Sequence, residues 1–150
     1  MSINIWGPAV WLLFHTIVEK IKDPDNTRIC RELFYQIQHI CKYLPCPDCA
    51  SHATTNLANV NISRINNKSD LKQILFIFHN SVNSRKNKPV CSIDELEKYK
   101  KANLSRVVQN FKNNYNSTRN MKLMSETFQR KLIITQFNQW LETNKNYLWG

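Results

Sequence analysis

Glycine is almost missing from this 150-residue chain, which contains only Gly7 and Gly150. Without a glycine-rich loop, the chain cannot build the phosphate-binding turns of Rossmann or P-loop nucleotide-binding proteins. Runs of valine and threonine, which strands favour, are also scarce, so we expect an all-α fold. No apolar run approaches the ~20 residues that a membrane-spanning helix needs, and we therefore expect no membrane span.

Acidic residues are rare in the last third of the chain. Residues 1–97 hold 11 Lys and Arg against 9 Asp and Glu, a charge of +2, whereas residues 98–150 hold 10 against 2, a charge of +8. Such a basic segment can bind an acidic partner, an anionic membrane surface or nucleic acid, or form an ordinary solvated face. No aromatic residues alternate with the basic ones as stacking platforms for bases, which disfavours nucleic acid.

The N-terminus lacks the basic segment that opens a secretory signal peptide. We therefore expect a cytoplasmic protein. Disulfide scaffolds are rare in the cytosol, so the five cysteines of the chain indicate catalysis more than a structural framework.

Two of these cysteines, Cys46 and Cys49, are two residues apart, with Pro45 and Pro47 on either side of the first. The prolines end one helical pattern, and Pro47 suits the first turn of the next helix. Cys46 then lies near a helix N-terminus, where free N–H groups and the helix dipole favour a thiolate. The pair can be a redox centre, half of a zinc site, or two structural cysteines.

A zinc site would need two further ligands, usually also close together in sequence. His52 could supply one of them. The remaining cysteines, Cys30, Cys41 and Cys91, supply no second pair. We expect Cys30 and Cys41 to be small buried side chains, with an intersubunit or shuttle role as the alternative.

Apolar residues recur with helical periodicity along the chain. The first helix opens at Trp6-Gly7-Pro8 and is apolar nearly all round. A second predicted helix covers residues 27–44, a third begins near Cys46, a fourth is capped by Ser69-Asp70, and a short fifth begins at Cys91. Beyond them, an amphipathic helix is predicted from the apolar residues Phe128, Leu132, Ile133, Phe137, Trp140 and Leu141.

A polar strip lies beside the apolar face of the fourth helix. His79, Asn83 and Lys86 fall at positions i, i+4 and i+7, with Asn80 and Lys88 nearby. Such a strip suits a flat aromatic ligand that bears phosphates, but an ordinary solvated face would look the same.

Three motifs follow one another in order: Trp6-Gly7-Pro8-x-x-Trp11-x-x-x-His15, Pro45-Cys46-x-x-Cys49-x-x-His52, and His79-Asn80-x-Val82-Asn83-x-x-x-x-Lys88-Pro89. Each is weak alone, but the ordered set resembles the Erv-type FAD-linked sulfhydryl oxidases across about residues 4–100. The compact form is most similar to the small thiol oxidases that large cytoplasmic DNA viruses encode.

The resemblance implies a four-helix bundle with a short fifth helix, FAD bound non-covalently at its mouth, and a homodimer packed through the first two helices. Cys46 would be exposed to client protein dithiols or to a small redox carrier protein. Cys49 would be the flavin-proximal sulfur, and electrons would pass through FAD to molecular oxygen, giving hydrogen peroxide. The residues that would contact the cofactor are Trp6, Gly7, Pro8, Trp11, His15, His52, His79, Asn80, Val82, Asn83, Lys86, Lys88 and Tyr99.

The resemblance also divides the chain. Residues 1–104 would be the FAD-binding oxidase domain, and residues 105–150 a basic helical extension that is dispensable for flavin binding. A viral member would work in the host cytoplasm or at a virus assembly site, or travel in the virion. The alternative hypothesis is a zinc-held or basic helical interaction module without flavin.

Overall fold

The computed structural model describes residues 3–116 and 124–149, and within those ranges every regular element is helical, which confirms the all-α expectation. Two elements are 3₁₀ helices, the turn Ile62–Arg64 and the longer Ile93–Lys101, which we call the 93–101 helix. The α-helices are α1 (Ile3–Glu19), α2 (Thr27–Lys42), α3 (Pro47–Ala58), α4 (Lys68–Arg85), α5 (Leu104–Tyr115), α6 (Met124–Thr143) and α7 (Lys145–Leu148).

Helix α1 is the central helix of the fold. Its six consecutive residues Leu13–Val18 are all buried, so neighbours must enclose it on every side. Helix α4 and the 93–101 helix pack along it, α2 touches it, and α5 packs most extensively against it. The helix begins at Ile3, three residues before the expected opening at Trp6, so Pro8 lies inside it and lacks the N–H that would bond the carbonyl four residues earlier.

Side-chain caps define where the bundle helices begin. Asn26 precedes α2, and its side chain accepts a hydrogen bond from the Ile29 N–H. The N-cap of α4 is Asn67, two residues before the predicted Ser69-Asp70 cap, and its side chain accepts from the Asp70 N–H. Asn and Asp are both good caps, so a sequence pattern that contains both does not decide between them.

The C-terminal extension shares the core of the bundle. Phe111 and Tyr115 of α5 and Phe137 of α6 are at most 1% exposed, and they belong to the same hydrophobic cluster as the bundle residues. Helix α6 packs against α2. Since a shared core does not by itself decide whether residues 1–104 fold alone, the boundary after residue 104 remains a prediction.

Helix α6 does not place all its apolar residues on the core side. Phe128 and Leu132 are 61% and 41% exposed, whereas Ile133 and Phe137 are buried as expected. The position that completes the buried stripe one turn before Ile133 is Arg130, which is fully buried. None of the described helices is long and apolar enough to cross a membrane.

Candidate active site

A cavity of about 590 Å³ opens between α1, α3, α4 and the 93–101 helix, with the end of α2 at its wall. Volumes of this order are typical of small-molecule and cofactor sites. The cavity brings together most of the residues singled out in the sequence, namely Trp6, Gly7, Pro8, Trp11, Cys49, His52, His79, Val82, Asn83, Lys86, Lys88 and Tyr99. Cys46, His15 and Asn80 do not line it.

The two cysteines of the pair occupy different environments. Cys46 is the N-cap of α3, and its sulfur accepts a hydrogen bond from the Cys49 N–H at 3.2 Å. Cys46 is half-buried and lies outside the cavity, whereas Cys49 is 8% exposed and lines it. The pair therefore joins the protein surface to the cavity interior.

One cation lies beside the inner sulfur. Lys86 Nζ is 3.6 Å from Cys49 Sγ, with geometry for donation to it. Burial, reinforced by the hydrogen bond and charge of Cys46, raises the pKa of Cys49, and the Lys86 charge works against that rise. Lys86 therefore stabilises negative charge on Cys49 when a thiolate is released there.

Four aromatic rings from three elements form a stacked column, and Trp11, His79 and Tyr99 of this column line the cavity. Trp11 and His79 are nearly parallel, with ring centroids 3.9 Å apart and an interplanar angle of 6°. His15 follows, 5.1 Å from His79, and Tyr99 stacks on His15 at 4.7 Å. A third ring cannot enter between Trp11 and His79 at that spacing, so a flat ligand would have to stack on the outside of this column or against its edge.

The two histidines of the column are neutral at physiological pH. His15 Nε2 and His79 Nδ1 are 2.9 Å apart, so one ring donates to the other. Burial lowers the pKa of His15 to about 3, with help from the charges of His79 and Lys98. Burial likewise lowers the pKa of His79 to about 4, with help from Lys98 and Lys88.

Comparison with known protein families gives a match that covers this site. The profile of the Erv1/Alr family matches residues 8–104. The chain belongs to the Erv1/Alr family. The matched range contains the Cys46–Cys49 pair and every residue that lines the cavity except Trp6 and Gly7.

Two viral proteins are similar to this chain over 90 to 101 residues. An FAD-linked sulfhydryl oxidase of African swine fever virus (isolate Pig/Kenya/KEN-50/1950) is 34% identical over 90 residues, which cover 60% of this chain and 75% of the relative. A probable FAD-linked sulfhydryl oxidase of fowlpox virus (strain NVSL) is 33% identical over 101 residues, 67% of this chain and 98% of the relative. No solved structure gave a significant match.

The cavity of this Erv1/Alr-family chain fits an FAD cofactor. Its lining combines the aromatic column with the cations Lys86, Lys88, Lys98 and Arg85, which suit a ring system linked to phosphates. Arg85 is 3.3 Å from the Asp48 carboxylate and Lys86 is 3.6 Å from Cys49 Sγ, so Lys88 and Lys98 are the cations more available to phosphate. Cys49 also lines the cavity, so its sulfur would lie next to an electron acceptor bound there.

Two residues that were expected to contact the cofactor, Asn80 and His15, do not line the cavity and contact neighbouring residues instead. Both ends of the Asn80 amide bind the backbone of Cys91: Nδ2 donates to its carbonyl at 3.1 Å, and Oδ1 accepts from its N–H at 2.8 Å. Asn80 thus holds the segment that leads into the 93–101 helix, which carries Tyr99. His15 lies behind His79 and acts on the cavity through it.

Some lining residues were not singled out from the sequence. Lys98 directly precedes Tyr99, and in the sequence it is one of ten basic residues in the +8 segment 98–150, with no motif that marks it as a site residue. Asn56 and Ser81, which bond each other at 3.1 Å, join α3 to α4 at the cavity wall. Cys41, expected as a small buried side chain, is buried but also lines the cavity.

The zinc hypothesis finds no support at this site. Within residues 3–116 and 124–149, no cluster of three or more His, Cys, Asp or Glu side chains could hold a metal ion. His52 instead lies 3.4 Å from Asp48, one turn earlier on α3.

Proposed function

We propose that this protein is an FAD-dependent thiol oxidase that forms disulfides in client dithiols through the Cys46–Cys49 pair. The names of the viral relatives support this activity. The observation that carries it is the pair itself, which is reachable from the surface at Cys46 and lines with Cys49 a cavity rich in aromatic and cationic side chains.

Thiol–disulfide exchange starts when the Cys46–Cys49 pair is oxidised to a disulfide and a client thiolate reaches it. The thiolate attacks the sulfur of Cys46, the more accessible of the two, so a client–Cys46 bond forms as the Cys46–Cys49 bond breaks. Cys49 leaves as a thiolate next to the Lys86 ammonium group. The client's second thiolate then attacks the client sulfur, forms the client disulfide and releases Cys46, while the two client protons pass to solvent.

The electron pair gained by the cysteines must then leave through the cavity. When bound, FAD supplies the acceptor for this pair, and its reoxidation by oxygen gives hydrogen peroxide. Cys49 holds the donating sulfur in the cavity wall, and the Lys86 charge offsets part of the rise that burial causes in its pKa. Trp11, His79 and Asn83 would hold the nucleotide end of the cofactor, and Lys88 and Lys98 its phosphates.

We further propose that the clients are protein dithiols or a small redox carrier protein. The viral source of the relatives supports work in the host cytoplasm, at a virus assembly site or in the virion. The basic extension would present Lys and Arg to an acidic partner, with nucleic acid as the disfavoured alternative.

A homodimer through the first two helices, which the resemblance implies, would need the surfaces of α1 and α2. Helix α5 packs along α1 and α6 packs against α2, so the extension covers part of those surfaces. The buried run Leu13–Val18 leaves no side of that part of α1 free. We propose that the homodimer uses the parts of the two helices that stay exposed, which include Ile5 of α1 at 55% and Tyr35 of α2 at 49%.

The test of the proposed activity uses the full-length chain with FAD. The purified protein should carry the visible absorbance of a bound flavin and consume oxygen when given dithiothreitol. Cys46→Ser and Cys49→Ser should each abolish turnover and leave the flavin bound, because Cys46 is outside the cavity and Cys49 is one of many residues that line it. A buried-cysteine variant, Cys30→Ser, serves as control and should keep its activity. A chain that stays colourless with added FAD, or a double cysteine variant with full activity, would refute the proposal.

A further inference from the structure

Two side chains of the C-terminal extension reach the end of helix α2. The Tyr115 hydroxyl donates to the Ile40 carbonyl at 2.9 Å, and Arg130 Nη1 donates to the Tyr43 carbonyl at 3.2 Å. Both donors are 0% exposed. The Ile40 carbonyl also accepts from the Tyr43 N–H at 3.3 Å. The last carbonyls of a helix lack the regular N–H partner four residues on, so side-chain donors from elsewhere help to fix such an end when it is buried.

This helix end leads directly into the redox pair. Tyr43 is the C-cap of α2, and Cys46, three residues later, is the N-cap of α3. Leu44 between them is 8% exposed and lines the cavity. A shift of the Tyr43 carbonyl would therefore be passed on to Cys46 through a short segment that Pro45 makes stiff.

The two donors are held in place by their own surroundings. Arg130 Nε donates to Asn116 Oδ1 at 3.2 Å, and Glu126 Oε2 lies 3.9 Å from Arg130 Nη1. The positive charge at the C-terminal end of α2 is favoured by the helix dipole. Burial raises the pKa of Tyr115, so its hydroxyl keeps its proton and remains a donor.

We propose that Tyr115 and Arg130 form a clamp on the end of α2 that positions Cys46 and so sets the reactivity of the redox pair. Both are positioning residues, since neither lines the cavity. The family match ends at residue 104, so this clamp belongs to the part of the chain that the match does not cover. The inference rests on the thiol oxidase function proposed above.

The test compares Arg130→Met with a matched change one position along the same helix, Lys131→Met, whose side chain is exposed. Both are made in the full-length, FAD-loaded chain, and the rate at which dithiothreitol reduces the bound flavin is measured without oxygen. We expect Arg130→Met to slow this step about 10- to 100-fold, because small misplacements of a reacting group have effects of that order. Lys131→Met should match the unmodified chain, and Arg130→Lys should recover part of the rate, since a lysine can still donate to the Tyr43 carbonyl.

A second readout separates positioning from simple stability. The equilibrium of the Cys46–Cys49 pair with glutathione should shift in Arg130→Met but not in Lys131→Met, at a temperature where both are folded. If Arg130→Met lowers only the melting temperature and leaves the rate and the equilibrium unchanged, the clamp has no positioning role and the proposal falls.

A gentler variant covers the case in which Arg130→Met fails to fold. Tyr115→Phe keeps the ring and removes only the hydroxyl that bonds Ile40. It should slow flavin reduction and shift the glutathione equilibrium in the same direction, and unchanged values would overturn the clamp. An unmodified chain that does not reduce its flavin would instead fail the proposed function, while the glutathione equilibrium would still test the clamp.

Discussion

Replacing Phe111 by alanine should destabilise the whole bundle, although Phe111 lies outside the segment that matches the family. The side chain is 0% exposed, and its ring centroid is 4.9 Å from that of Tyr115 and 6.0 Å from that of Phe137. Truncating a fully buried phenylalanine costs about 3–5 kcal/mol in free energy of unfolding. For a chain of this size, each kcal/mol lowers the melting temperature by roughly 2–4 °C, so a loss of about 6–20 °C is expected.

The assay is thermal and urea unfolding of the full-length chain, followed by circular dichroism and by flavin fluorescence in parallel. Phe128→Ala is the matched control, because the same residue type on α6 is 61% exposed and should change stability by no more than about 0.5 kcal/mol. Both probes should shift together in Phe111→Ala, since α5 encloses the helix that carries Trp11. If the flavin-binding part unfolds at its original temperature, α5 lies outside the core, and residues 105–150 are dispensable as the sequence alone predicts.

Four further results are expected. His79→Ala should weaken FAD binding and remove up to about 3 kcal/mol of ligand-linked stability at free FAD a hundredfold above its Kd, whereas unchanged binding would reduce the helix-α4 strip to a solvated face. Lys86→Met should raise the pKa of Cys49 and move the pH profile of flavin reduction to higher pH, and an unmoved profile would contradict the 3.6 Å contact. Because His15 and His79 have lowered pKa values of about 3 and about 4, against 6.5 unfolded, the unfolded chain binds more protons below pH 6.5. The free energy of unfolding should therefore be full above pH 6.5 and fall towards pH 4 by up to about 1.4 kcal/mol per pH unit for each histidine. The urea midpoint measured against pH checks this, and His79→Gln should make its pH dependence weaker. Sedimentation equilibrium should give the mass of two 150-residue chains, and the mass of a single chain at every concentration would refute the homodimer.

Much of the redox centre follows from local sequence. Two prolines around Cys46 dictate where one helix ends and the next begins, because proline lacks an N–H and fixes φ. The structure accordingly places Cys46 at the N-cap of α3 and Cys49 one turn into it. The polar strip on α4 is equally local, since residues at i, i+4 and i+7 share a helix face whatever surrounds them. His79, Asn83 and Lys86 all line one cavity.

The sequence could not decide which helix faces are covered. The apolar residues of α6 predict an amphipathic helix, yet Phe128 is exposed while Arg130, a residue type that is rarely buried, is fully enclosed. Arg130 is buried because carbonyl and amide oxygens from two other elements meet it there, and sequence periodicity contains no trace of those partners.

Asn80 shows the same limit within the active site. Its place beside His79 in a recognisable motif predicts a cofactor contact, but both ends of its amide bind the backbone of Cys91, eleven residues further along the chain. Lys98, by contrast, has no motif around it and still reaches the cavity, because the 93–101 helix folds back over α1. Helix periods, caps and the spacing of the cysteines depend on neighbours in sequence, so the chain alone determined them. Which side chains meet across the cavity depends on how separate helices pack, and only the tertiary structure decided that.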